Sequence, residues 1–378
     1  MKKIVFISHD GSRTGAPILL LNIIKLIKET GKYELVAVFK NGGPIEEDYQ
    51  EVVKTYSWNK QIKRPLPKGI IQRVKNKFWP IDYDQLNKHS IVSEMTNADY
   101  IINNTITNGE LLEILTRNFK GKVISYVHEL KMSVLKYATN EGVDKTIQLS
   151  HQFITPSLAV KHFLNESFIV PVEKISVLNS YINLSCSPVS ENNNSNKIFT
   201  VGSCGTIELR KGTDLFVAVA KYLKTYKPDL NISFLWKGKN GDSETLHQIS
   251  NDIKKTGLED VVRFIPSGND MDSFYKEIDV FLLASREDPY PLVVLEAASY
   301  GKPIICFDNA GGAPEFVQDD AGTVVEYLDI IGLANAVDTY QKNPDLVKQQ
   351  GKIAKEKVQK KHQDKNLVLA QLNQMLND

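Results

Sequence analysis

The segment from Val280 to Val317 restricts the fold of this 378-residue chain more than any other. Two apolar runs, Val280–Ala284 and Pro303–Phe307, have the length and composition of strands buried on both faces, as parallel strands are. Asp288-Pro289 between them signals a turn, and Pro291 suits the first turn of a helix because its missing N–H has no partner there anyway. A helix is expected over Leu292–Ser299, ending near Gly301. Strand, acidic turn, helix N-terminus and strand in about thirty residues make a βαβ unit. Such units belong to α/β folds, where anions favour helix N-termini and ligands sit beyond the carboxyl ends of the strands.

Two carboxylates in this unit, Asp288 in the turn and Glu296 inside the helix, are separated by seven residues. They would grip opposite ends of one extended ligand, with the free N–H groups of the first turn, at Leu292 and Val293, holding its middle. The stretch SREDPYPLVVLEA, followed by GGAPE, resembles family 4 glycosyltransferases, retaining enzymes built from two Rossmann-like domains. The resemblance implies that Asp288 contacts the donor sugar and Glu296 the nucleotide ribose. It also implies that Gly311 and Gly312 lie in the glycine-rich turn beside the donor. Asp288 stands where the family more often has Glu, although Glu287 is adjacent.

Length and charge agree with two domains. A chain of this size is long for a single core. The net charge of +1 hides an asymmetry: residues 1–185 carry 24 Lys/Arg against 18 Asp/Glu, and the remainder 22 against 27. A basic first half suits an anionic partner. Cys186, Cys204 and Cys306 show neither disulfide nor zinc spacing. The start of the chain is too short in apolar residues for a signal peptide and no run approaches a membrane span, so a cytoplasmic protein is expected.

Earlier in the chain, Lys3–Ser8 reads as a strand leading through a loop with Gly15 to an apolar helix, Ile18–Ile27. That geometry suits phosphate approach, which the family resemblance favours, and equally a plain tight turn. From Trp58 to Trp79 there are seven Lys/Arg and no acid, with Ile70, Ile71, Val74, Phe78 and Trp79 on one helical face. This fits an anionic membrane surface or a pyrophosphate-bearing lipid; a solvated basic helix is the alternative, and nucleic acid fits poorly. His128 follows an expected strand, Val123–Val127, where the family often has a histidine close to the donor sugar and leaving phosphate. A hydrogen-bonded structural histidine is its other reading.

The polar run 186–196 marks a linker between an N-terminal acceptor-side domain, 1–185, and a nucleotide-sugar domain, 197–343. A C-terminal helix, 344–378, crosses back to the first domain by the same resemblance. In the second domain Arg210-Lys211-Gly212 precedes a helix, and two cations at a helix N-terminus suit a diphosphate. It resembles the family's RKG element, with Gly205 where several members carry a further Arg. The triplets Asp82-Tyr83-Asp84 and Asp270-Met271-Asp272 each precede an expected helix, where Asp serves as a cap, and no metal site is expected.

The fold class expected is α/β, two Rossmann-like doubly wound domains facing across a cleft. The function expected is retaining, metal-independent transfer of a sugar from a nucleotide-diphosphate sugar, UDP-sugar foremost, with no further cofactor. The acceptor would be a glycan or polyprenyl-linked glycan of the bacterial surface, with peripheral membrane attachment through 58–79. A non-catalytic sugar or nucleotide binder is the rival, as is an epimerase or phosphorylase of the same architecture. The Arg-Lys-Gly element has no evident purpose in the binder.

Overall fold

The computed structural model describes residues 1–59, 83–184, 198–238, 241–268 and 270–377. Most of the basic stretch 58–79, the expected linker 186–196 and Asp82 of the first acidic triplet therefore lie outside the described residues. The chain divides into two compact units. The first comprises Met1–Thr155, Leu164–Ser176 and Leu372–Asp378, and the second Pro156–Phe163 with Val177–Gln371.

The first unit is built on a seven-stranded sheet. In chain order its strands are β1 Lys2–Ser8, β2 Tyr33–Phe39, β3 Lys54–Ser57 and β4 Tyr100–Asn103, then β5 Lys122–Tyr126, β6 Gln152–Thr155 and β7 Ile175–Val177. Across the sheet they run β3-β2-β1-β4-β5-β6-β7, and the pairings from β3 to β6 are parallel. Ile4, Val5, Phe6 and Ile7 of β1 are fully buried, as a strand covered on both faces requires.

The second unit repeats the plan with β8 Phe199–Cys204, β9 Ile232–Gly238, β10 Val262–Pro266, β11 Val280–Leu283, β12 Ile304–Phe307 and β13 Gly322–Val325. Their order is β10-β9-β8-β11-β12-β13, all parallel. In both sheets the order reverses beside the first strand, between β1 and β4 and between β8 and β11. Loops leaving those strands diverge there and open a crevice at their carboxyl ends. The core beneath β8 and β9 holds Phe216, Phe234 and Trp236, with Phe216 edge-on to the other two at 5.2 and 5.3 Å.

The helix expected after the first acidic triplet is present as Tyr83–Thr96, with Ile91 and Met95, one turn apart, in the core, whereas β3, a short polar strand at the sheet edge, had no clear pattern in the sequence. The stretch from Pro344, expected as one helix, is two: Pro344–Lys361 and Lys365–Asn377. His362 stops the first, buried with Nδ1 donating to the Ser180 carbonyl at 2.8 Å and Nε2 3.1 Å from the Tyr290 hydroxyl. Asp364 starts the second by accepting from the backbone N–H of Asn366 at 2.9 Å. Its last residues are counted in the first unit, where the Tyr100 hydroxyl donates to the Leu376 carbonyl at 2.6 Å.

Candidate functional site

In the second unit the expected residues gather where β8 and β11 end. Gly205 follows β8 directly, and the stem of Lys211 passes beside it. A single 3-10 turn, Leu209–Lys211, then leads through Gly212 into the helix Thr213–Tyr226. Gly212 is left-handed, φ 70°, and a Cβ there would fall 1.8 Å from the Ala284 carbonyl oxygen. Only glycine lets this turn settle against the end of β11. The turn is tied further by the Arg286 N–H, which donates to the Arg210 carbonyl at 2.9 Å. The Arg286 guanidinium also grips Asp214 through two bonds of 2.8 and 2.7 Å.

That seating brings Lys211 Nζ to Asp288 Oδ2 at 2.5 Å, both side chains largely buried. Asp288 is fixed by its own backbone: its N–H donates to the Ala310 carbonyl at 2.7 Å, and its carbonyl accepts from Gly312 N–H at 3.1 Å. Gly311 pairs opposite it with φ 128°, a Cβ there falling 1.8 Å from the Asp288 oxygen. The glycines of the GGAPE turn thus hold the acidic loop by close backbone approach. Arg210 is turned aside, donating to the Glu287 carbonyl at 3.0 Å and to Glu208 at 2.9 Å. Of the two expected cations, Lys211 is the one joined to Asp288.

The helix Leu292–Ser299 begins after Pro291 with no side-chain cap, so the N–H groups of Leu292 and Val293 have no capping side chain. Glu296 lies a turn further in. Its Oε2 accepts from the Tyr275 hydroxyl at 2.6 Å, and burial raises its pKa, the Tyr275 bond partly opposing this. Tyr275 was not singled out in the sequence: its contact to Glu296 spans twenty-one residues and two helices. Glu315, in the same GGAPE turn, accepts from the N–H groups of Leu158 and Ala159 at 2.9 and 2.8 Å. It therefore caps the helix Leu158–Phe168. Asp270 caps the helix Met271–Glu277 through the Ser273 N–H at 3.1 Å. Among the described residues no group of three or more His, Cys, Asp or Glu is arranged to hold a metal ion.

In the first unit, His128 follows β5 with Nε2 2.9 Å from Asn104 Oδ1, and its ring lies 4.0 Å from that of Tyr126. Burial, with His9 as a neighbouring charge, pushes its pKa down to about 3, so it is neutral at ordinary pH. The neighbouring Glu129 accepts from the Thr105 hydroxyl and from the N–H groups of Ile106 and His128 at 3.2 and 3.0 Å. It joins the loops after β4 and β5, and burial raises its pKa against those bonds. Gly15 opens the helix Gly15–Glu29 at the surface. The close backbone contact in that loop falls instead at Gly11, where a Cβ would lie 2.7 Å from Gly43 N.

Residues 188–357 match the family described as glycosyl transferases group 1. Over 92% of both chains the protein is 26% identical to an uncharacterized glycosyltransferase of Haemophilus influenzae. It is 24% identical to the O-antigen biosynthesis glycosyltransferase WclY of Escherichia coli, over 80% of this chain and 79% of that one. The fold is similar to that of Anabaena HepE, solved in complex with UDP and glucose, with a TM-score of 0.78, 17% identity and full coverage of both chains.

Proposed function

We infer that the chain is a glycosyltransferase, its residues 188–357 belonging to group 1 of the glycosyl transferases. It moves a sugar from a nucleotide-diphosphate donor to an acceptor, and relatives working on O-antigen and HepE binding UDP favour UDP-sugar and a surface glycan. The observation that carries the reading is the meeting of Lys211 and Asp288 beside the uncapped N-terminus of Leu292–Ser299. An ammonium has three N–H donors. With one on Asp288, two remain for the diphosphate, and the first-turn N–H groups add to them. Asp288 takes the sugar hydroxyls and Glu296 the ribose.

The proposal includes retention at the anomeric carbon and independence of divalent metal. The bond from sugar to diphosphate breaks, and the acceptor oxygen attaches on the same face. Its proton passes to the leaving phosphate. Lys211 stabilises charge where it develops, which is where electrostatic stabilisation is worth most. His128, neutral, is assigned to a substrate hydroxyl. The acceptor is a glycan, lipid-linked if the basic stretch from Trp58 docks on an anionic bilayer; equal sedimentation with neutral and anionic vesicles would remove that part.

Incubation with a panel of nucleotide sugars tests the whole. UDP release that requires an acceptor, an axial or equatorial product linkage matching the donor, and activity that survives EDTA are the expected results. Inversion of the linkage overturns the retaining course. Loss of transfer in EDTA, restored by magnesium or manganese, overturns metal independence.

A further inference from the structure

We propose that Tyr275 is a positioning residue for the donor: its hydroxyl holds the Glu296 carboxylate so that the free oxygen accepts the ribose hydroxyls. The pair then distinguishes a ribonucleoside diphosphate from its deoxy analogues. This rests on the reading of Glu296 as the ribose ligand.

The ring of Tyr275 is held on several sides. It is 1% exposed, lies edge-on to Phe274 at 5.1 Å and stacks on Tyr300 at 5.2 Å with 26° between planes. Tyr300 is itself tied to Asp272 by its hydroxyl at 2.8 Å, and Asp272 pairs with Lys276. So anchored, the Tyr275 hydroxyl reaches two atoms, Glu296 Oε2 at 2.6 Å and Cys204 Sγ at 3.8 Å. Tyr275 supplies the one hydrogen bond that Glu296 receives among the described residues, leaving Oε1 without a partner.

Glu296 is half-buried with no ion-pair partner among the described residues, and its open oxygen is favoured further when a hydrogen-bond donor completes it. Two vicinal hydroxyls are neutral donors and do so, whereas a phosphate at the same place would be repelled. The titratable groups joined to Glu296 in this cluster, Tyr275 and Cys204, are neutral near pH 7, while Lys211 and Lys237 lie near enough to act on Cys204. Burial pushes the Cys204 thiol up to about 12 and the Tyr275 phenol well above its ordinary range. Glu296 is thus the group that titrates here. Its pKa is raised chiefly by burial, and the Tyr275 hydrogen bond draws it back. The ribose-binding form is the carboxylate, so affinity is lost as pH falls through that raised pKa. Without the hydroxyl the loss begins at higher pH.

Calorimetric titration of the full chain with UDP, 2′-deoxy-UDP and 3′-deoxy-UDP, across pH, decides the matter. Wild type should favour UDP over at least one deoxy analogue by about tenfold, the scale of a hydrogen bond to a charged group. Tyr275→Phe should lose about tenfold for UDP and less for that analogue, and should move the acid limb of UDP binding upward. A folding defect, checked by thermal unfolding, lowers the competent fraction but moves neither the ratio nor the limb. If Tyr275→Phe keeps both, the role of Tyr275 is overturned while Glu296 stands. If wild type binds UDP without regard to either hydroxyl, the ribose assignment of Glu296 falls and Tyr275 with it. If wild type does not bind UDP, the donor reading has failed instead.

Discussion

At the residue scale the site turns on a buried ion pair. Lys211 and Asp288 are nearly out of water, and removing one partner leaves the other charge uncompensated. Lys211→Ala is therefore expected to cost about 3 kcal/mol of stability as well as about a hundredfold in transfer rate. The two effects separate in the double variant. Adding Asp288→Asn should restore most of the urea midpoint, since no lone charge remains, while transfer stays lost. Recovery of activity together with stability would show that Lys211 serves only to neutralise Asp288.

Among the elements, the short helix Ala313–Val317 does more than close the glycine-rich turn. Its Glu315 receives both first N–H groups of Leu158–Phe168, a helix whose first half is counted in the second unit and whose second half in the first. Ser157, just before that helix, donates to the Pro289 carbonyl at 2.8 Å, so the same corner also steadies the loop bearing Asp288. A carboxylate capping two N–H groups is worth about 1 kcal/mol. Glu315→Ala should lower stability in urea by about that amount, and Glu315→Gln, which keeps an acceptor, by less. Unchanged midpoints for both variants would leave the helix without need of this cap.

For the whole molecule, pH is a global lever through His362. Its ring is 2% exposed, and both nitrogens are satisfied in the neutral form. Burial lowers its pKa from 6.5 to about 4, with the Ser180 carbonyl opposing this. The unfolded chain then binds the proton more readily. Between those two values stability rises with pH, so the contribution is complete above pH 6.5 and lost on acidification toward pH 4. At pH 5 the loss is about 2 kcal/mol, since each unit of difference is worth about 1.4 kcal/mol. Buried His128 adds its own drop to any variant, so the His362 contribution is read by thermal unfolding as the amount by which the fall in stability from pH 7 to pH 5 is smaller in His362→Gln than in wild type. An equal drop in both would place the titrating group elsewhere.

The apolar runs of the strands and the helix Leu292–Ser299 were legible in the sequence because burial on both faces writes itself into consecutive residues. Alternating strands and helices in each half announced parallel sheets for the same reason, and the short spacing of Asp288, Glu296 and the glycines is local along the chain. A short polar edge strand such as β3 left no such trace. Which side chains meet was settled by tertiary structure alone. Lys211 and Asp288 touch across 77 residues, Arg210 turns away toward Glu208 and Glu287, and Tyr275 reaches Glu296 from another helix. Sequence periodicity records how much of a residue is buried, whereas the partner of a buried charge depends on where distant strands end.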